Sequence, residues 1–527
     1  MMTRLSLTEL NRYLGAPLRM KVSSQQITVR HLLNGRSPLA NLRDAADMAF
    51  GPEATPLRVA VTGKSRSGHL CEIEAVEPKI YGSDDSETSV FDFRPRRLAR
   101  TNSFNAVMLI PTGVDCAVGG HAGDATPAAR LLASVCDHLV LHPNVVNASD
   151  VNEQTENCLY VEGSLICRLL MGTVGLRKVR QNRVLLVTED RRDAPNVVDQ
   201  TINCAEGARA TLGMDISNVV VLDQELFLQT GVSDSGRVTG RVERLGNLLE
   251  LLRDKRDTYD AIALATRITP HIDTVELHRA YFGEGGPNPW GGVEAILTHL
   301  VSTVLDVPSA HAPTMSSEAL RTESWGIVEP RKAAEIISTT YLFCVLKGLN
   351  RAPQVIVNPS GVFDPSVLNA EDVSALVIPD GCVGLPTLAA VEQGIPVVAV
   401  RNNTNLMRND LRALPFRPGQ LQHAQNYYEA AGILAAIKAG VAPAALARPM
   451  QPIRIERHGA RVAAEAHATI GRSIGHKNGH ANGQTNGSTN GNGNGNGKSR
   501  RSKTAPASVA VTAGEVMPEL LVEVGGE

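Results

Sequence analysis

A chain of 527 residues with 43% hydrophobic content has room for three or four structural units and at least one large core. With 52 basic against 54 acidic side chains, a formal charge of -2 and an isoelectric point near 6.7, it lacks the global basicity that nucleic acid or an anionic membrane would demand, so neither is expected as a partner. The eight cysteines show no C-x-x-C spacing, which argues against a zinc ribbon or a disulfide framework, and no apolar run reaches the length of a membrane span.

The first hundred residues read as a small α+β module, 1–102. Leu7 to Leu14 predicts a short helix, and P-L-R-V-A-V-T predicts a strand, followed by G-H-L-C-E-I-E-A-V-E. The opening M-M-T-R-L-S-L-T-E-L-N-R-Y lacks the sustained apolar core of a signal peptide, so a cytoplasmic location is expected. Gly82 to Arg100 is polar and charged and suits a linker, with a boundary near residue 102.

From there strands and helices alternate. Strands are predicted at Ala106–Ile110, His138–Leu141, Arg183–Val187, Val219–Leu222 and Ala261–Ala265, rich in Val, Ile and Leu without strict alternation, as in a parallel sheet buried on both faces. A Gly/Pro-rich loop at Gly283–Pro289 precedes helical patterns at Val293–Leu305 and Pro330–Leu349, then strands at Gln354–Val357 and Ala375–Ile378. The expected fold is α/β, parallel sheets with flanking helices, either one continuous sheet or two Rossmann-like lobes over 103–270 and 271–475. Ala-rich segments at Tyr427–Ala439 and Ala460–Gly471 predict closing helices. Residues 476–503 form an Asn/Gly-rich tether too poor in apolar residues to fold, and 504–527 an apolar-acidic peptide that is either dispensable or docks on a partner protein or its own enzyme.

The chemistry-bearing residues cluster where strands hand over to helices, the edge of an α/β sheet at which ligands bind. V-M-L-I-P-T-G-V-D-C-A-V-G-G-H-A-G-D-A-T-P-A-A-R-L-L carries Asp115, Cys116, Gly119, Gly120, His121 and Asp124, and Thr126 with Pro127 is a helix-start signal, so this loop reads as an anion cradle. The next strand delivers His142, Asn144 and Asn147 as an acid/base and substrate contacts. Asn288, Trp290, Gly291 and Gly292 repeat the logic at another helix start, followed by His311 and Arg331 as substrate contacts. S-A-L-V-I-P-D-G-C-V-G-L-P-T-L-A-A-V-E-Q-G-I-P-V-V-A-V is a βαβ unit whose turn holds Asp380, Cys382 and Gly384 with Thr387 behind, and Arg401, Asn402 and Asn403 end its second strand. A thiol at a helix start becomes a nucleophile, which makes Cys382, with Cys116, a candidate. No histidines show a diagnostic metal spacing, so no metal is expected.

Three resemblances follow from these motifs. G-L-P-T-L-A-A-V-E-Q-G-I-P-V-V-A-V resembles the nucleotide-binding signature of two-lobed glycosyltransferases, which implies a nucleotide ligand, although Ala389 stands where that family has a ribose-binding carboxylate and Glu392 is a poor substitute. The same unit is similar to that of two-cysteine racemases, which implies Cys382, Thr387 and Cys116 as active residues. Over 104–410, A-G-D-A-T-P-A-A-R-L-L-A-S-V-C-D, H-P-N-V-V-N-A and N-P-W-G-G-V-E-A resemble an uncharacterised bacterial family of domains of unknown function.

The leading reading is a cytosolic biosynthetic enzyme that transfers a group to or from an anionic small molecule, phosphorylated or carboxylated. No cofactor is required, with a nucleotide left open, and a homo-oligomer is a further expectation. A cysteine-dependent racemase, isomerase or lyase and a non-catalytic ligand-sensing or scaffold protein stay open beside it.

Overall fold

Short runs of Val, Ile, Leu and Ala make the strands, and the turns between them carry the polar residues. The computed structural model describes residues 20–33, 37–80, 89–191, 194, 196–314, 323–337, 341–358 and 364–456. The helices expected at 7–14 and 460–471, the tether and the terminal peptide lie outside them. Residues 20–80 give β1 (Lys21–Val29), α1 (Pro38–Phe50), β2 (Thr55–Ser65) and β3 (Gly68–Glu77). Next come β4 (Asn105–Met108), α2 (Thr126–Ala133), β5 (His138–Leu141), α3 (Pro143–Val146), β6 (Cys158–Tyr160) and α4 (Gly163–Leu170). After β7 (Val174–Arg177) the chain runs through β8 (Arg183–Glu189), α5 (Asn196–Leu212), β9 (Asp215–Leu222), β10 (Phe227–Val232), β11 (Val238–Glu243), α6 (Gly246–Asp254) and β12 (Ala261–Arg267). Then follow α7 (Thr274–Glu284), α8 (Gly291–Leu305), β13 (Ser309–Thr314), α9 (Ala333–Ile336), α10 (Leu342–Asn350), β14 (Gln354–Val357) and β15 (Val367–Leu368). The series closes with β16 (Val373–Pro379), β17 (Val383–Gly384), α11 (Leu385–Gln393), β18 (Val397–Val400), β19 (Leu421–Ala424), α12 (Tyr427–Lys438) and α13 (Pro443–Leu446).

The fold is α/β, with two parallel sheets at its centre. One has six strands in the order β19-β18-β16-β4-β5-β6, the other four in the order β13-β12-β8-β9. In the six-stranded sheet both faces are covered, and successive side chains serve them alternately. Ala106, Met108, Leu139, Leu141, Val377 and Val400 pack against α2, α10 and α12, whereas Val107, Val140, Leu376, Ile378 and Val397 pack against α1, α4 and α11. The four-stranded sheet shares the first of these cores through Leu186, Ala263 and Ala312, and turns Leu185, Ile262 and Leu264 toward α6 and α8.

A third, antiparallel sheet has the order β10-β11-β1-β3-β2-β17. It overturns the expected boundaries at 102 and 270. The N-terminal strands pair with β11 on one side and, through β2, with β17 on the other, and β4 pairs with β16, so neither boundary separates one sheet from another. Residues up to Met450 belong to one compact unit. Inside this sheet Arg237 reaches Glu72 at 2.7 Å and Glu74 at 2.9 Å, and Arg58 reaches Glu74 at 3.1 Å. Burial acts to raise the Glu74 carboxyl, but Arg237 and Arg58 outweigh it and hold it down at about 2. Arg58 also donates to the Gly292 carbonyl at 3.2 Å, tying the sheet to the start of α8.

Two further expectations are corrected. The stretch read as a solvated linker is a packed strap where described. Val90 and Phe91 are buried, and the Arg96 guanidinium donates to the carbonyls of Gln393, Val373 and Gly394. Within the helix expected over Pro330–Leu349 the described residues give a 3-10 turn at Pro330–Lys332, then α9 and α10, with residues 338–340 lying outside the described set. Gln354–Val357 is a strand, but it pairs antiparallel with β7 in a small three-stranded sheet.

Candidate active site

The carboxyl ends of the two parallel sheets open onto one cavity of about 360 Å³. The six-stranded sheet contributes Thr112 after β4, His142 after β5 and Glu162 after β6, and the four-stranded sheet contributes Arg267 at the end of β12 and His311 and Thr314 on β13. The start of α8 and one face of α7 complete the wall. A cavity of this size suits a small molecule.

Several residues singled out from the sequence lie on that wall: His142, Asn144, Asn147, Asn288, Trp290, Gly291 and His311. Their partners define what they can do. The Ile110 N–H donates to His142 Nε2 at 3.1 Å, so that nitrogen carries no proton, and burial pushes the imidazole down to about 4. His142 is therefore neutral at physiological pH, protonated on Nδ1. His311 is held at both ends, by Glu294 at 3.1 Å and the Thr266 hydroxyl at 2.9 Å. Asn144 donates to the carbonyls of Ile110 and Gly119, and Asn147 accepts from the Tyr160 hydroxyl. Asn288 Oδ1 accepts the N–H groups of Trp290 and Gly291, so a side chain of the protein takes two of the donors expected to cradle an anion.

His121 and Asp124 stand behind the wall. His121 Nδ1 lies 2.8 Å from the Tyr281 hydroxyl, which donates to Glu335 Oε1 at 2.8 Å. The Ala122 N–H also donates to Glu335 Oε1, at 2.8 Å. Burial pushes Glu335 up to about 7 and His121 down to about 4. Burial also lifts Asp124 to about 6, and its Oδ2 is an interior oxygen without a hydrogen-bond donor. Arg331, expected on substrate, donates instead to the Ala117 carbonyl at 2.9 Å and pairs with Glu329.

The anion cradles are not built. Thr126 begins α2, but its side chain makes no cap and Ala125 holds the cap position. Gly120 is needed for close packing, since a Cβ there would meet the Cys116 carbonyl oxygen at 2.3 Å, and Gly119 takes a positive φ of 82° to turn the loop. Gly292 packs on β11, its place for a Cβ 2.5 Å from the Val238 carbonyl oxygen. Gly384 pairs with Ala60 in β17–β2, so the start of α11 is covered by a strand. Thr387 donates to the Cys382 carbonyl at 3.2 Å.

None of Asp380, Cys382, Cys116, Arg401, Asn402 and Asn403 lines the cavity. Asp380 accepts the Gly381 N–H and lies 3.6 Å from His423. Cys116 and Cys382 are both free thiols buried in the core, and the Cys116 thiol is pushed well above its ordinary range by its hydrogen bond with Cys382 and by burial, the opposite of nucleophile activation. Asn403 stitches Val118 and the Tyr427 hydroxyl together, while Arg401 and Asn402 are exposed. The nucleotide-signature segment is thus a packed βαβ unit with Ala389 fully buried.

What sequence reasoning missed is the titratable half of the wall: Glu162, His278, Glu294, His299, Glu335 and, behind them, Tyr281. His299 Nδ1 lies 2.6 Å from Glu162 Oε1, and the Thr298 and Ser164 hydroxyls donate to the same carboxylate. Burial acts to raise Glu162, but His299 and Ser164 prevail and hold it below its usual range. A signal existed for Glu162, because C-L-Y-V-E-G-S places a carboxylate between a strand and a helix start, where it caps Ser164. His299 and Glu335 sit within helices and carried none. Among the described residues no group of three His, Cys, Asp or Glu side chains is placed to hold a metal.

Paired parallel sheets with a shared cavity at their carboxyl edge define an α/β protein. Residues 105–447 match the family described as Protein of unknown function (DUF3326), and the chain belongs to that family. It is also 36% identical, over 346 residues, to an uncharacterized lipoprotein of Synechococcus sp., an alignment that spans 65% of this chain and 93% of the relative. That name corrects the expected cytoplasmic location, since a lipoprotein is held at a membrane by its lipid. No helix among the described residues is long and apolar enough to cross a membrane.

Proposed function

We propose that the protein is an enzyme that transfers a group to or from a small polar molecule by general acid–base catalysis. The observation that carries this reading is the His299–Glu162 pair, 2.6 Å apart, in one cavity with Glu335, a carboxyl that keeps its proton up to about pH 7. A carboxylate within ion-pair distance of Nδ1 favours the proton on that nitrogen and leaves Nε2 as the acceptor, which suits removal of a proton from an attacking hydroxyl. Protonated Glu335 is the donor to the leaving group, and His121 and the Tyr281 hydroxyl form the hydrogen-bonded chain behind it. Neighbouring groups pushed in opposite directions, the His121 and His142 imidazoles down to about 4 and the Glu335 carboxyl up to about 7, are what acid–base chemistry near neutral pH needs.

The anionic substrate read from the Gly-rich loops gives way here to a polar one, because those loops fold on themselves and Glu162, Glu294 and Glu323 line the cavity beside the protonated Glu335. The cysteine route drops out of the proposal, since both thiols lie in the core away from the cavity. The test is to incubate the protein with the small-molecule fraction of a cell extract and follow consumption by mass spectrometry, with His299→Ala in parallel. A compound consumed at least about 100-fold more slowly by the variant supports the reading. Equal consumption by both proteins, or none by either, sinks it.

A further inference from the structure

The wall of the cavity beside α7 is aromatic, and the acid–base reading leaves it unused. Trp290 and Trp325, the two tryptophans of the chain, both line the cavity together with Phe282 and His278. The rings brace one another: His278 lies 4.5 Å from Trp290 and 5.8 Å from Trp325, and Phe282 lies 5.3 Å from Trp325, centroid to centroid. Rings fixed in this way present faces at little entropic cost. An aromatic wall alone accepts any flat or apolar group, and charge narrows the choice.

Glu162, Glu294 and Glu323 line the same cavity beside the protonated Glu335, whereas among the described lining residues there is no lysine and Arg267 is the single guanidinium. Glu323 stands at the aromatic end. Its partner is Arg279 at 2.8 Å, whose side chain is 66% exposed, so the pair is a weak surface contact that a bound cation can replace. Indole faces attract cations through the negative face of the ring, and the attraction grows as the cation is desolvated. Two indoles and a carboxylate at the rim, with no lysine among the described lining residues, are the chemistry of an ammonium receptor.

We propose that the substrate carries a cationic amine or quaternary ammonium group, seated against Trp290 and Trp325 with Glu323 as counter-charge. The proposal rests on the reading of this cavity as the active site and adds the substrate class to it. Because both tryptophans line the cavity, intrinsic fluorescence reports on it without a label. The full-length protein is titrated with choline, with methylammonium, with 3,3-dimethylbutan-1-ol as the neutral isostere of choline, and with inorganic phosphate. The expected result is a saturable change with the two cations, at least about tenfold weaker binding of the neutral isostere, and no saturable change with phosphate.

Trp325→Leu is expected to weaken choline about tenfold and Glu323→Gln about threefold, each with a melting temperature close to wild type. The comparison of choline with its isostere needs no variant, so it stands even where a tryptophan substitution fails to fold. Equal binding of choline and the isostere, binding of phosphate alone, or no saturable change with either cation overturns the proposal. His299→Ala keeps its choline affinity if the substrate class is right, whatever becomes of turnover, so failure of the cation site and failure of the acid–base reading give different results.

Discussion

The two ends of the six-stranded parallel sheet make the same kind of turn and put it to different use. At the β5–β6 end, the residues after each strand face a cavity: His142, Asn144, Glu162 and, across from them, His299. At the β16–β18 end, Asp380, Cys382 and Asn403 follow their strands in the same way, yet Cys382 and Asn403 are buried and the partly exposed Asp380 lines no cavity. The Gly384 strand runs beside β2, Asn403 is bound between Val118 and Tyr427, and the two thiols are buried against each other. The difference teaches that chemistry-bearing residues at a strand end become a site only where no neighbouring element closes over them.

Four measurements break or sharpen that contrast. The largest effect is expected at the open end, where Glu335→Gln should lower turnover by roughly 10²–10⁴ while leaving choline binding in place. In the wild type, turnover should fall as pH rises through about 7, where Glu335 loses the proton it must donate. A variant of near-normal rate would remove the acid from the mechanism. At the closed end, Asn403→Ala strands the Val118 backbone groups and the Tyr427 hydroxyl, and should lower stability by roughly 3 kcal/mol in a denaturant titration. Loss of turnover without loss of stability would instead make this end part of the site.

The third measurement uses pH against stability. The folded-state carboxyl of Glu335 is raised to about 7 from an ordinary 4.5, so the folded form binds its proton more tightly than the unfolded one. This contribution is fully present below about pH 4.5 and is lost as pH rises to about 7, roughly 3 kcal/mol in all. Glu335→Gln should therefore gain stability relative to wild type across that window and keep a constant difference above it. A flat difference would mean that the carboxyl is ordinary. The smallest effect belongs to Cys382→Ala, which should cost about 1 kcal/mol through its small cavity and leave turnover within about a factor of two. A tenfold loss of rate would restore the thiol to the chemistry.

Much of this architecture was legible in the sequence. The strands expected from Ala106, His138, Arg183, Val219, Ala261 and Ala375 are all present, because apolar runs buried on both faces admit no other element of that length. The cavity was legible in part, through His142, Asn144, Asn147, Asn288, Trp290, Gly291 and His311, each next to a strand or helix end. Glu335 and His299 were not, since a lone Glu or His within a helical pattern looks like a solvated one until a distant element is packed on it. The closed end was misread for the converse reason. Nothing near Gly384 announces that β2, more than 300 residues earlier, lies beside it.

The antiparallel sheet has a consequence for how the chain is made. Glu72 is synthesised 165 residues ahead of Arg237, the guanidinium that neutralises it, and β17 follows later still. At about 5–20 residues per second, β1–β3 emerge from the ribosome roughly 8–33 s before β11 arrives. Through that interval the nascent sheet has two unpaired edges and Glu72 lacks its counter-charge, while Glu74 has only Arg58. A fragment begun at residue 105, where the family match starts, would carry Arg237 and β11 without the strands that complete them.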